Sequence, residues 1–260
     1  MATIFLERRR SRAAEWSRRI GYFSLVLLLV ASVGHRYGFV ETPPFLMVLG
    51  VVSALALIAL ACAAFGFARL WQRGDKAGRN ATAGTAMALL ALSPMIAATG
   101  AGLYYPALND ITTDTADPPD LPIAAAARDP AMNPIVDPSP DAVAEQIEAY
   151  PDIVGRRFEA TIDQVQDAVV AEAQARGWIV RGGSTPNEDA REASVEMIAY
   201  TPVFAFADDA VVRLTEEDDA TFVDMRIVSR YGRSDLGNNA RQIGSFLSAI
   251  DQTLKAKAGE

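Results

Sequence analysis

The chain of 260 residues holds one cysteine, Cys62, and one histidine, His35, and both lie in or beside apolar runs. A Cys/His zinc site needs three or four such ligands and a histidine-centred triad needs a histidine outside those runs, so neither chemistry is available. A lone cysteine closes no intramolecular disulfide and leaves the redox compartment open. Cys62 reads as a small packing residue. Lysine is almost as scarce after residue 104, where Lys255 and Lys257 stand alone at the tail. Carboxylates, hydroxyls and arginines are the reactive groups that remain. No catalytic residue, metal ligand set or cofactor is assigned.

Each half also lacks charge of one sign. Residues 1–103 hold 11 bases and four acids, whereas residues 104–260 hold 13 bases and 28 acids. The second half therefore has the wrong sign to grip nucleic acid, which is not an expected partner. Half of all residues are apolar and the mean hydropathy is +0.12, so disorder along the whole chain is excluded.

The first half carries long hydrophobic runs. A basic start (Arg8, Arg9, Arg10, Arg12, Arg18, Arg19) precedes 14 clean apolar residues from Ile20 to Val33, short of the roughly 20 that span a bilayer. Phe45–Ala68 is 24 residues without a charge, and at about 1.5 Å per residue it exceeds a ~30 Å hydrocarbon core. Ala81–Leu103 is rich in Ala, Gly and Thr around Pro94, a composition that suits close helix packing in lipid. The expectation is a membrane domain over residues 1–105 with three transmembrane helices in a lipid bilayer. Bases crowd the N-terminus and the Arg69–Asn80 loop, while the His35–Pro44 loop has only Arg36. Positive-inside orientation then gives a cytoplasmic N-terminus in a bacterial inner membrane and places everything after Tyr104 in the periplasm. Trp71, Tyr104 and Tyr105 fit interfacial aromatic belts. Two further spans and the lack of an A-x-A site argue against a cleavable signal peptide. Gly21 and Tyr22 weaken a twin-arginine reading of Ser17-Arg18-Arg19.

Nine of the 14 prolines fall between Pro106 and Pro151. Composition alone describes this stretch as an extended stalk with one short helix over Asp141–Ala149, whereas the domain division expected is residues 106–157 as a proline-rich segment docking on the soluble domain. Residues 158–260 read as a compact domain. Thr161 and Gln164 make a capping-box pair, and Ile162, Val165, Ala168, Val169 and Ala173 recur at helical spacing until Gly177. Strands are expected at Trp178–Arg181, Ser194–Tyr200, Asp209–Thr215 and Thr221–Tyr231, with the acidic run Glu216–Asp219 as a hairpin loop. A last helix over Gly237–Lys255 carries Ile243, Phe246, Leu247, Ile250 and Leu254. The fold class is α+β: three transmembrane helices, then an antiparallel sheet with two helices packed on one face. Its other face would present Ile198, Tyr200, Phe222 and Val228 among Glu196, Asp224, Arg226 and Arg230, too apolar for open water. The proline-rich segment folding back is the favoured cover, with a partner or a ligand as the alternative.

Three blocks resemble the domain of unknown function 1499 family. They are Asp110-Ile-Thr-Thr-Asp-Thr-Ala-Asp-Pro-Pro119, Phe206-Ala-Asp-Asp-Ala-Val-Val-Arg213 and Val223-Asp-Met-Arg-Ile-Val-Ser-Arg-Tyr-Gly-Arg-Ser-Asp-Leu-Gly-Asn-Asn-Ala240, with Tyr150-Pro-Asp and Gly177-Trp178 between them. Ser194-Val-Glu-Met-Ile-Ala departs from the family pattern. The resemblance covers about 110–252 and implies a bacterial membrane or envelope protein with no assigned reaction. It also implies that the first block belongs to the domain.

One corner has the ingredients of an anion site. Arg230, Arg233, Ser234, Asp235, Asn239 and Arg241 cluster where a strand runs into the start of the last helix, with free amides and a positive dipole end. The bland reading is a helix cap, with the arginines paired to Asp208, Asp209, Asp224 or the first-block aspartates. Asp110, Asp114 and Asp117 are expected to dock on this corner, with Ile111 and Pro118-Pro119 shielding the sheet. Asp208 and Asp209 could form a carboxylate dyad, but strand alternation sends them to opposite faces. The function expected is a binding or scaffolding module in the cell envelope, taking an envelope protein or a small anionic ligand as partner. The alternative is a carboxylate-dependent hydrolase or an anionic-ligand-binding protein.

Overall fold

The computed structural model describes residues 9–184 and 191–258, so Arg8 lies outside the described residues. Two compact units result, Met1–Gly100 and Ala101–Glu260.

Among the described residues, three helices are long and apolar enough to cross a membrane, and they build the first unit: α1 (Arg12–Arg36), α2 (Thr42–Arg73) and α3 (Gly78–Tyr104). Buried positions alternate at spacings of three and four along α1 (Ala14, Ser17, Gly21, Ser24, Leu28, Ala31, His35) and along α2 (Phe45, Leu49, Val52, Ala56, Ala59, Ala63, Gly66). That alternation is the seam of left-handed helix packing. The side chains are small because the backbones nearly touch: a Cβ on Gly84 would lie 2.1 Å from the Ser17 hydroxyl. α1 starts well before the 14-residue apolar run, because Ser11 accepts the Ala14 amide and caps the helix ahead of the arginines. Ser24 and Ser53 donate to carbonyls four residues back, so their hydroxyls are satisfied inside their own helices.

The second unit is α+β. Its sheet is antiparallel, in the order β1 (Asp110–Thr112), β6 (Ala220–Ser229), β5 (Ala207–Glu217), β4 (Glu192–Tyr200), β3 (Ile179–Gly182). β2 (Arg156–Phe158) also pairs with β6, so β1 and β2 lie end to end along one strand. The helices α6 (Ile162–Ala175) and α7 (Asn238–Ala258) bury Val165, Val169, Ile243, Phe246 and Ile250 against Val195, Met197, Val212, Leu214, Met225 and Ile227 of the sheet. The capping box forms: Thr161 accepts the Gln164 amide, and Gln164 accepts that of Thr161. Gly177 ends the helix at φ +71 and sends Trp178 to stack on Phe246, ring centres 5.1 Å apart. The acidic run turns tightly, with Glu216 and Glu217 inside β5 and Asp218 at φ +49.

The proline-rich stretch is folded, in contrast to a stalk. It holds β1, α4 (Pro122–Ala127), α5 (Pro140–Ala149) and β2. Two of its prolines sit where they cost nothing: Pro122 and Pro140 each open a helix, at a position whose N–H would have no partner in any case. Gln146 of α5 acts as an extra strand residue, donating to the Thr112 carbonyl at 2.7 Å and accepting its amide at 3.2 Å.

Candidate functional site

Alternation along the strands delivers Glu196, Asp209, Arg213, Asp224 and Arg226 to the sheet face opposite α6 and α7, beside Ile198, Val211 and Val228. Residues 110–137 lie over that face as a strap. Leu121 packs on Val211 and Val228, with Ala124 and Ile135 alongside. Ile111 points to the helix-side core instead, so Leu121 supplies the shielding expected of it. Tyr200, expected on the covered face, is the last residue of β4, partly buried against the main core and near enough to Arg230 to act on its guanidinium.

Charge fastens the strap. Arg226, only 1% exposed, donates to both Asp110 oxygens at 3.0 and 2.7 Å, to the Pro119 carbonyl at 3.2 Å and to the Val136 carbonyl at 2.7 Å. Arg213 holds Asp114 (2.8 Å), Asp117 (2.9 Å) and Asp224 (3.2 Å). Arg128 and Arg230 grip Asp209 from two sides at 2.9 and 2.6 Å. Glu196 accepts the Ile123 and Ala124 amides at 3.0 and 2.9 Å. Thr113 donates to Asp224 at 2.7 Å and accepts the Met225 amide at 2.9 Å. The cavity left between α4 and the sheet is about 10 Å³, room for one water.

The first-block aspartates therefore do not reach the Arg230–Arg241 corner. β1 runs antiparallel to β6, with Asp110 opposite Val228 and Thr112 opposite Arg226, so the chain travels away from Ser229 and toward Arg213. Burial raises the Asp110 pKa despite Arg226. At Asp114 burial also pushes upward, but the Asp117 and Ala116 amides and Arg213 outweigh it and hold the carboxyl below its ordinary range.

At the corner, four of the six candidate residues gather around the first turn of α7. Asp235 accepts the Gly237 and Asn239 amides at 2.9 and 2.6 Å, the cap of the bland reading. Ser234 accepts the Leu236 amide and donates to the Pro106 carbonyl. Arg241 donates to the Gly237 carbonyl at 2.9 Å and lies over the Tyr105 ring. Tyr105, expected in an aromatic belt, is packed on Gly237, where a Cβ would lie 2.6 Å from its ring. Arg230 turns to the strap, and Arg233 is exposed. Asp208 and Asp209 do point to opposite faces. Asp208 is buried beside Ser229, which accepts from Asn239 at 3.1 Å, and burial lifts its pKa to about 7 against the Ser229 hydrogen bond. Burial, with Asp235 nearby, lifts the Tyr150 hydroxyl to about 12. The Tyr150 hydroxyl, Asn238 Nδ2 and both polar atoms of the Gln242 side chain are enclosed without a hydrogen-bond partner among the described residues. Sequence reasoning missed Arg213 and Arg128 as fasteners, since single arginines in a strand and in a loop carry no spacing signal.

An α+β domain closed by an ionic strap, following three helices that fit a membrane anchor, is the class these features define. The model of a family described as a protein of unknown function, DUF1499, matches residues 110–250, and the chain belongs to that family. The match opens at the first residue of β1, so the strap lies inside the family unit. No curated protein matches the chain.

Proposed function

We propose that this protein is a binding or scaffolding module of the bacterial inner membrane, with its N-terminus in the cytoplasm and its α+β domain in the periplasm. The observation that carries the reading is the use made of charge. The carboxylates and arginines of the covered face, which a hydrolase would need free, are committed to holding the strap. Orientation rests on the four bases of the Arg69–Asn80 loop against the single arginine of the His35–Pro44 loop. Fusion of alkaline phosphatase or a fluorescent protein after residue 260 tests the placement; fluorescence without phosphatase activity refutes it. Native mass spectrometry of the detergent-extracted chain tests the role, a stoichiometric complex with an envelope protein being the expected result. Hydrolysis of chromogenic phosphoesters, esters or glycosides that is lost in Asp208→Asn with the fold intact would reverse the ranking in favour of an enzyme.

A second reading, capture of a small anion, is favoured by the enclosed donors of Tyr150, Asn238 and Gln242 near Arg241. Calorimetric titration with inorganic phosphate checks it, and binding should weaken in Gln242→Leu.

A further inference from the structure

The three apolar helices bring their basic residues to one end. A Cβ added to Gly66 of α2 would lie 3.0 Å from that of Ala14 in α1, and Ala14 clusters with Ala63, Ala77 and Ala81, so the start of α1, the end of α2 and the start of α3 meet. Backbone hydrogen bonds pin this junction. The Lys76 amide donates to the Arg9 carbonyl at 2.8 Å, the Ser11 amide donates to the Lys76 carbonyl at 3.4 Å, and Arg10 pairs with Lys76 in a parallel bridge. Gly74, at φ +68, turns the chain out of α2 and toward that bridge.

Arg9, Arg10, Arg12, Arg73, Lys76 and Arg79 stand on this frame with exposed side chains, and among the described residues none of the six has an ion pair or a side-chain hydrogen bond. Asp75, the one carboxylate of the loop, is buried, and Glu15 is the only acid of α1; neither pairs with a base among the described residues. The contrast with the second unit is direct, since Arg128, Arg213, Arg226 and Arg230 all hold carboxylates of their own chain. Here the chain gathers like charges and supplies no counter-charge, so the neutralising anions come from outside. Trp16 in α1 and Trp71 in the last turn of α2 are 54% and 92% exposed at the same end. Exposed tryptophan among bases, at the end of an apolar helix, is the residue mixture suited to a lipid headgroup layer.

We infer that this end of the helical unit is a binding site for anionic phospholipid, its six bases holding headgroup phosphates and selecting lipids of net negative charge over zwitterionic ones. Guanidinium groups match phosphate oxygens as paired donors, and a zwitterionic headgroup brings a cation of its own that the cluster repels. Because the backbone already holds the junction together, a lipid that binds there does not have to order the loop first. The inference rests on the reading of the helices as spans and holds for either orientation of the N-terminus. The experiment distinguishes failure of the site from failure of the spans.

The full chain is reconstituted into phosphatidylcholine bilayers holding a trace of phosphatidylglycerol, or of phosphatidylcholine, with a nitroxide near the end of one acyl chain. Electron paramagnetic resonance then reads the fraction of each labelled lipid whose motion is restricted by the protein. At low salt the phosphatidylglycerol is expected to associate several-fold more strongly than the phosphatidylcholine, the scale of one or two bases acting on an anionic headgroup, and to approach parity as salt screens the cluster. Arg10→Gln with Lys76→Gln removes two charges and leaves the backbone bridge able to form, and Arg73→Gln with Arg79→Gln removes two others. Each pair is expected to bring the preference down toward parity with the helical circular dichroism unchanged. Restricted lipid of both kinds in equal amounts at low salt overturns the site and leaves the spans standing. No restricted component from either lipid overturns the spans and the site together. A preference that survives in both paired variants belongs to other bases and overturns the assignment. Loss of the preference on adding inorganic phosphate, but not chloride of the same ionic strength, makes the cluster a site for free phosphate and also overturns it.

Discussion

Replacing Arg226 by methionine removes the guanidinium that joins the strap to the sheet and leaves the largely buried Asp110 carboxylate without its partner. Breaking a buried pair from one side costs about 3 to 5 kcal/mol, because the remaining charge is stranded away from water. The Pro119 and Val136 carbonyls lose a donor each in the same step. Urea unfolding of the detergent-solubilised chain reads the loss through Trp178, which stacks on Phe246 in the core, in a Trp16→Phe, Trp71→Phe background. With a slope of about 2 kcal/mol per molar urea, the midpoint falls by roughly 2 M. Burial already raises the Asp110 pKa in spite of Arg226, so the pair does not recover the full cost of ionising Asp110. The double variant Asp110→Leu, Arg226→Met is therefore expected to regain most of the lost stability. The exposed pair Arg157–Glu217 sets the scale for a contact without this role, at roughly 0 to 1 kcal/mol on deletion. A midpoint shift in Arg226→Met no larger than that of Arg157→Met, or a double variant as unstable as the single one, would refute the reasoning.

Asp208 titrates near 7 in the fold and near 4 in an unfolded chain. Its protonated form stabilises the fold, a contribution fully present below about pH 4 and lost as pH rises toward 7. Asp208→Asn should flatten the melting temperature between those values; an unchanged slope would count against the burial argument. Asp114 has the opposite sign, its stabilisation being present above the ordinary carboxylate range and lost on acidification. Asp114→Asn should accordingly lower stability at pH 7, with the gap to the parent narrowing on acidification below the ordinary carboxylate range in the same melting series. Gly237→Ala forces a Cβ toward the Tyr105 ring at a φ of +71 and is expected to cost about 2 to 4 kcal/mol by urea titration. Gly84→Val should lower the thermal stability of the three-helix unit in micelles, whereas Gly50→Val, with nothing within 4 Å of its Cβ, should leave it unchanged.

The long helices, the four strands β3 to β6 and most of the faces they present were legible because they rest on period, whereas the six-residue α4 is too short to show one. Val195 and Met197 alternate, Ile243, Phe246, Leu247 and Ile250 repeat, and Gly177 terminates. β1 and β2 were not legible, because three residues offer no period, and their strand character comes from β6 lying alongside. The proline count suggested a stalk, since composition does not distinguish a proline inside an extended chain from one opening a helix, as Pro122 and Pro140 do. At the corner, residue types identified the cap but not the arginine pairings. Arg230 and Arg241 are eleven residues apart, and only the strand direction decides that one faces the strap and the other Tyr105.

The pairing of Asp110 with Arg226 also fixes an order of events in time. The two residues are separated by 116 positions, which at 5 to 20 residues per second means the strap waits roughly 6 to 23 s on the ribosome's clock before its anchor exists. Until then β1 has no strand to join, and nothing can close the sheet edge. A waiting segment of apolar β-formers would be an invitation to pair with a neighbouring chain. Aspartates and prolines make the strap poor at such pairing and leave it soluble. The composition that reads as a spacer is thus that of a clasp made first and fastened last, and a chain cut short before Arg226 would leave it open.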